Sequence, residues 1–182
     1  MSLLRIVICM CAALCLLSDV AFARTIGRAK VALPQTAPLT ADCVMEAARA
    51  NGLPLAALVG ILATENGRAG EALQNDNGTW DMGPFQINTT HVNTFTEMGI
   101  APEAVLRNGC VNAYTAAWLL RKEYERTGDI WKAIGAYHSR TPHRRDAYIA
   151  QVKLHLARLS RSGIFALPLL TPAAALVREG EQ

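Results

Sequence analysis

Between two stretches spaced like amphipathic helices, the sequence runs from Gly67 to Gly83 through Gly70, Asn75, Asp76, Asn77 and Gly78. Glycine supplies left-handed backbone, and Asn and Asp bond their own main chain, so this segment makes turns rather than a helix. A loop of such length inside a compact chain is functional or carries a short β-hairpin. The fold must therefore be a helical body crossed by one irregular segment.

Helical signals flank that segment on both sides. Thr40 can cap a helix running through Asn51 and ended by Gly52, and Pro54 opens another in which Leu55, Leu58, Val59 and Leu62 lead to Glu65. After the loop the pattern predicts a helix from Thr90 to Met98 and a short one opened by Pro102. A long helix follows from Val111 through Arg126, with Tyr114 and Trp118 inward and Gly128 as its stop. Asp129 caps the next, through Tyr137, and Pro142 separates it from a last helix carrying Tyr148, Val152, Leu156 and Leu159. No repeat is visible. The expectation is a mostly α domain over residues 40–162, with one irregular loop or small β-hairpin.

Hydrophobic content of 51% with 18% charge excludes a disordered polyelectrolyte, and 182 residues suit one core. The start reads as a secretory leader. Arg5 precedes the apolar run Ile6 to Leu17, and Ala21-Phe22-Ala23 places small residues before Arg24, so cleavage is expected after Ala23. At about 1.5 Å per residue that run is too short for a hydrocarbon core of about 30 Å, which argues against a retained anchor. Residues 24–39, with Pro34 and Pro38, read as a linker, and residues 163–182, with Pro168 and Pro172, as a flexible tail.

Removing residues 1–23 also removes Cys9, Cys11 and Cys15 and leaves Cys43 and Cys110. An even pair in an oxidising compartment is read as one disulfide, two buried thiols being the alternative. Neither cysteine has a histidine at ligand spacing, so no metal site is expected. Net charge is +3, with the excess of positive charge in the part beginning at Arg121. The cluster Arg140, His143, Arg144 and Arg145 could meet an anionic polymer or membrane surface, or be a solvated face. Nucleic acid is set aside for an exported chain without a recognisable binding module.

Glu65 ends a strongly apolar helix, so its carboxyl should be partly desolvated, its charged form disfavoured and its pKa raised. A general acid working near neutral pH needs that property. Helix-end glutamates are common, however, and position alone is a weak sign.

Context strengthens it. The run Asp81-Met82-Gly83-Pro84-Phe85-Gln86-Ile87-Asn88 after Glu65 resembles the loop facing the catalytic glutamate in the lysozyme superfamily. Glu followed by Gly-x-x-Gln-Ile-Asn is similar to the soluble lytic transglycosylases, and the Asp-x-Gly-Pro-Phe form resembles the small members found with conjugation, type IV secretion and pilus systems. Ala133-Ile134-Gly135-Ala136-Tyr137-His138 and Tyr148-Ile149-Ala150-Gln151-Val152 resemble that family's tyrosine block and the helix after it. The resemblance spans about Thr40 to Ser160 and implies a lysozyme-like helical fold of the goose-type kind.

It also implies roles. Glu65 matches the catalytic acid and base, Gln86 and Asn88 match polar positions lining the sugar cleft, and Tyr137 matches a tyrosine near the glutamate. Phe85 or Tyr137 could offer apolar surface to a sugar ring, with core packing as the alternative for Phe85, Ile87 and Trp80, and Gly83 could admit ligand to the backbone or simply make a turn. Two positions depart from the family: Glu65-Asn66 stands where Glu-Ser is usual, and Tyr137-His138 where Tyr-Asn is usual. Asn66 can still hydrogen-bond, and His138 is expected as a neutral polar contact rather than a second base.

The implied activity is cleavage between N-acetylmuramic acid and N-acetylglucosamine with closure of a 1,6-anhydro ring. It needs no cofactor, and it would act in the periplasm on glycan strands, opening the wall locally for an envelope-spanning apparatus whose components are possible partners. A monomer is expected. Asp81 is assigned to substrate positioning, but its place also resembles the second carboxylate of animal-type lysozymes, which leaves a hydrolase using Glu65 and Asp81 as the alternative. A glycan-binding assembly factor without catalysis is the reading from another class.

Overall fold

The computed structural model describes residues 35–163. The expected leader, the linker up to residue 34 and the tail beyond Gly163 lie outside the described residues. In order come α1 (Ala41–Ala50), α2 (Leu55–Glu65), β1 (Ala72–Gln74), β2 (Trp80–Met82) and β3 (Ile87–Asn88), then a 3-10 turn (Thr89–His91). The helices α3 (Val92–Glu97), α4 (Pro102–Arg107), α5 (Gly109–Thr127), α6 (Ile130–His138) and α7 (Pro142–Arg161) complete it. Among the described residues the architecture is mostly helical with one small sheet, as the sequence predicts.

The helix ends follow local chemistry. Thr40 Oγ1 accepts from Cys43 N at 3.2 Å at the start of α1, and Asp129 accepts from Lys132 N at 2.8 Å at the start of α6. The start of α5 lies at Gly109 rather than Val111, because Asn108 Oδ1 accepts from both Cys110 N and Val111 N. Helix α2 ends where Asn66 takes a left-handed φ of 50° and returns its N–H to Leu62 O. That conformation, which Asn tolerates better than most residues, accounts for Asn66 at this place.

Helix α5 is the axis, packed against α1, α4 and α6, while α2 and α6 both lie on α7. Ala113, Ala116, Ala117 and Leu120 of α5 are buried with Leu58 and Ile61 of α2, Ile134 of α6 and Val152 of α7. The small residue Gly60 lets α7 come close: a Cβ there would lie 2.7 Å from Val152 Cγ1. Tyr114, expected to point inward, is 39% exposed, whereas Trp118 is partly buried with its edge on Phe95. The alanine positions of α5 are what its neighbours pack against, so the large aromatic is left outside.

The end of the expected linker is tied to this body. Ala37 N donates to Arg107 O and Ala37 O accepts from Gly109 N, at 2.9 and 2.8 Å. Cys43 and Cys110 form the disulfide, joining the first turns of α1 and α5 across a sequence separation of 67. In the chain-entropy account, closing so long a loop stabilises the fold by about 4 kcal/mol.

The crossing segment folds into a three-stranded antiparallel sheet, β1-β2-β3, with Leu73 opposite Asp81 and Asp81 opposite Asn88. Its turn is held by Asn112, a fully buried polar residue of α5. Asn112 Nδ2 donates to Met82 O and Val105 O, both at 2.9 Å, and its Oδ1 accepts from Phe85 N at 2.8 Å. Gly83, with φ 69°, has no side chain because a Cβ would sit 2.5 Å from that amide. The missing side chain makes room for Asn112. Asn112→Ala should strand three buried backbone groups and destabilise the protein by about 3 kcal/mol or more in urea unfolding; a loss below about 1 kcal/mol would show that the turn holds itself.

Candidate active site

The sheet, the end of α2, the end of α6 and the start of α7 enclose a cleft of about 650 Å³. Glu65, Asp81, Gln86, Asn88 and Tyr137 all line it, so the five residues expected to meet a glycan are brought together. Around them lie Asn75, Asn77, Thr79 and Thr90, which give a wall rich in neutral donors and acceptors, with the carboxyl of Asp76 beside them. A sugar's hydroxyl and acetamido groups require such a surface.

Glu65 reaches the cleft from the last residue of α2. Burial raises its pKa to about 7 against the lowering effect of a hydrogen bond from Tyr148, and the charge of Asp81 adds to the rise. The desolvation expected from the apolar helix is therefore present and dominant. Tyr148 Oη donates to Glu65 Oε1 at 2.6 Å. Burial and the nearby Glu65 hold the phenols of Tyr148 and Tyr137 well above the usual tyrosine range, so both remain donors.

Asp81 is gripped at both oxygens, with Asn75 Nδ2 donating at 2.9 Å and Asn88 Nδ2 at 2.7 Å. Asn88 also donates to Thr79 Oγ1 and accepts from Thr90 N, so it orders the wall as well as facing the cleft. Gln86 has φ 48° and gives its Nε2 to Gly83 O at 2.8 Å. Tyr137 donates to Phe85 O at 2.8 Å, which fixes the loop against α6. The hydroxyl that touches the acid belongs to Tyr148, a residue whose helical spacing reads only as core. Its position in the block following Tyr137 was the available signal.

Phe85 is fully buried and offers no face to a sugar, while Trp80 is 42% exposed and lies outside the cleft lining. His138 stacks on Tyr148 with ring centroids 4.7 Å apart and planes 2° from parallel. Burial lowers its pKa; Asp81 opposes this and Arg144 reinforces it. A neutral imidazole packed on the phenol agrees with the role expected of a polar contact. No group of metal-ligating side chains occurs among the described residues.

This geometry, one half-buried carboxyl under a tyrosine facing a second carboxylate across a polar cleft, suits acid-assisted cleavage of a glycosidic bond. Comparison with known proteins agrees. The model of the transglycosylase SLT domain matches residues 42–153, and the chain belongs to that family. It is similar to protein IpgF of Shigella flexneri, with 34% identity over 102 residues, covering 56% of this chain and 67% of that protein. Invasion protein IagB of Salmonella typhimurium strain SL1344 is 29% identical over 106 residues, covering 58% of this chain and 66% of the relative. An Escherichia coli X polypeptide is 33% identical over 89 residues, covering 45% and 53% respectively. Membership makes this chain a peptidoglycan lytic transglycosylase.

Two consequences follow from the state of Glu65. Its acid form is lost as pH rises through about 7, so kcat/KM should fall there. Tyr148 stabilises the carboxylate, so Tyr148→Phe should move that descending limb to higher pH in addition to slowing turnover; a limb moving lower would reverse the assigned sign. Because the folded pKa lies above the unfolded value of 4.5, the folded state holds more protons between them and stability falls with rising pH. Glu65→Gln should escape that loss and exceed wild type by about 2 kcal/mol at pH 8, allowing for solvent in the open cleft, with the advantage vanishing toward pH 4.5 in denaturation curves.

Proposed function

We propose that the chain cleaves the β-1,4 bond between N-acetylmuramic acid and N-acetylglucosamine and releases 1,6-anhydro ends. The observation that carries this is the Glu65 carboxyl held near pKa 7 by burial, beside Tyr148. Protonated Glu65 gives its proton to the glycosidic oxygen as that bond breaks, and positive charge develops at the muramyl C1. The resulting carboxylate takes the proton of the C6 hydroxyl, whose oxygen bonds C1 and closes the ring. One group serves as acid and then base, no water is consumed, and the tethered hydroxyl supplies the orientation advantage of an intramolecular step.

In this scheme Asp81 faces the developing cation without bonding to it, and its clamp by Asn75 and Asn88 fixes its direction. The same clamp favours a second reading. A carboxylate held so firmly opposite Glu65 could stabilise or capture the muramyl carbon and let water complete a retaining hydrolysis. Family membership and the Tyr137 and Tyr148 blocks support the transglycosylase.

The site of action in this reading is the periplasm, supported by the leader pattern of residues 1–23 and the disulfide. Its purpose is local opening of the wall for a secretion, conjugation or pilus apparatus, supported by the likeness to small family members and to the invasion protein IagB. Components of that apparatus would be its partners.

Mass analysis of muropeptides released from purified sacculi by residues 24–182 tests the chemistry. Products lighter by one water and lacking a reducing end are expected from wild type, with none from Glu65→Gln and residual anhydro product from Asp81→Asn. Reducing-end products that disappear in Asp81→Asn would make the protein a hydrolase.

A further inference from the structure

The cleft has one feature that cleavage of neutral sugars does not use. Among the described residues lining it, Arg144 is the sole lysine or arginine. The cationic cluster noticed in the sequence is divided by the fold. Arg140 donates to Glu123 at 2.6 Å, and the same glutamate holds Arg126 at 2.7 Å. Arg145 donates to Asp146 at 2.8 Å. Among the described residues, exposed Arg144 has no carboxylate within ion-pair distance, and it stands beside His138 and Ser139 on the wall formed by α6 and the start of α7.

Its setting brings the fold little benefit. Arg144 lies in the first turn of α7, a turn without an acidic residue, where a cation opposes the helix dipole. Burial is the main cause of the lowered pKa of neighbouring His138, and Arg144 adds to that lowering against the opposing charge of Asp81. The opposite wall carries Asp76 and Asp81, the latter already bonded to amides, so an anionic ligand would be guided toward the Arg144 side.

A glycan strand of peptidoglycan has neutral sugar rings, and the lactyl carboxyl of each muramyl unit is consumed in the amide to its peptide stem. The negative charges of the polymer therefore sit on stem carboxylates, which branch from the sugar next to the bond being cut. A planar guanidinium pairs with a carboxylate through two parallel hydrogen bonds.

Resting on the transglycosylase reading, we propose that Arg144 binds a carboxylate of the peptide stem, making strands with stems the preferred substrate over strands stripped of them. Arg144 is a specificity residue in this assignment. It leaves proton transfer to Glu65.

The test uses glycan strands with intact stems and the same strands after enzymatic removal of the stems. For wild type, kcat/KM for anhydro ends should favour stem-bearing strands by about tenfold, the worth of one partly exposed charge-assisted pair. The preference should lie mainly in KM and shrink with added salt. In Arg144→Gln the ratio should fall to near one, while Arg145→Gln, whose side chain is engaged by Asp146, should keep the wild-type ratio. A wild-type ratio of one, or an undiminished ratio in Arg144→Gln, would overturn the proposal.

Sedimentation of the catalytically silent Glu65→Gln protein with each kind of strand reads recognition separately from chemistry. Discrimination that depends on Arg144 in this assay supports stem recognition even if wild type yields no anhydro ends, an outcome that would overturn the transglycosylase reading alone. Equal binding to both strands would overturn stem recognition whatever the products.

Discussion

The three hydrogen bonds of Asn112 are the constraint on which the site depends. A turn passing through the interior has backbone groups that water cannot reach, and each unpaired group costs about 1–3 kcal/mol. One carboxamide on the central helix satisfies Met82 O, Val105 O and Phe85 N together. The loop carrying Asp81, Gln86 and Asn88 is thereby set against α5, and α5 also supports α6, which carries Tyr137 and His138. The closeness of that contact forbids a side chain at residue 83, so the glycine and the asparagine form one device.

On this frame the fold builds two carboxyl environments from unlike materials. Glu65 stands at the end of an apolar helix with Tyr148 as hydrogen-bond donor, and burial decides its state. Asp81 stands on a short strand among amides that satisfy both oxygens. A carboxyl that keeps its proton near neutrality and a partner stabilised by hydrogen bonds can divide acid transfer from electrostatic support. His138, stacked on Tyr148, holds the phenol from its face while remaining neutral.

Much of this was legible because the signals were local. Thr40, Asp129 and Pro142 mark helix starts by their own chemistry, and the Asn and Gly content of residues 67–83 announces turns. Glu65 was legible because its helix is apolar enough to promise desolvation. Tyr148 was harder, since a tyrosine at core spacing looks the same whether its hydroxyl meets water or an acid. Phe85 took the core position of its two readings, and Tyr114, expected inward, stays exposed, for a related reason: aromatic side chains suit a core and a surface equally, and only packing chooses. Asn112 gave no sign, because a polar residue within a helix reads as exposed until its three partners are known.

By itself the sequence determined the helical body, its irregular crossing segment, the family and the carboxyl proposed as the acid, all read from neighbouring residues or from ordered motifs. Tertiary structure decided which hydroxyl touches that acid, which glycine makes room for a buried amide, and which arginine of a basic cluster is left facing the cleft. Those choices join residues distant in the chain, such as Glu65 and Tyr148 or Phe85 and Asn112, and depend on distances of a few ångströms. Local propensity does not encode such distances; close packing around the central helix does.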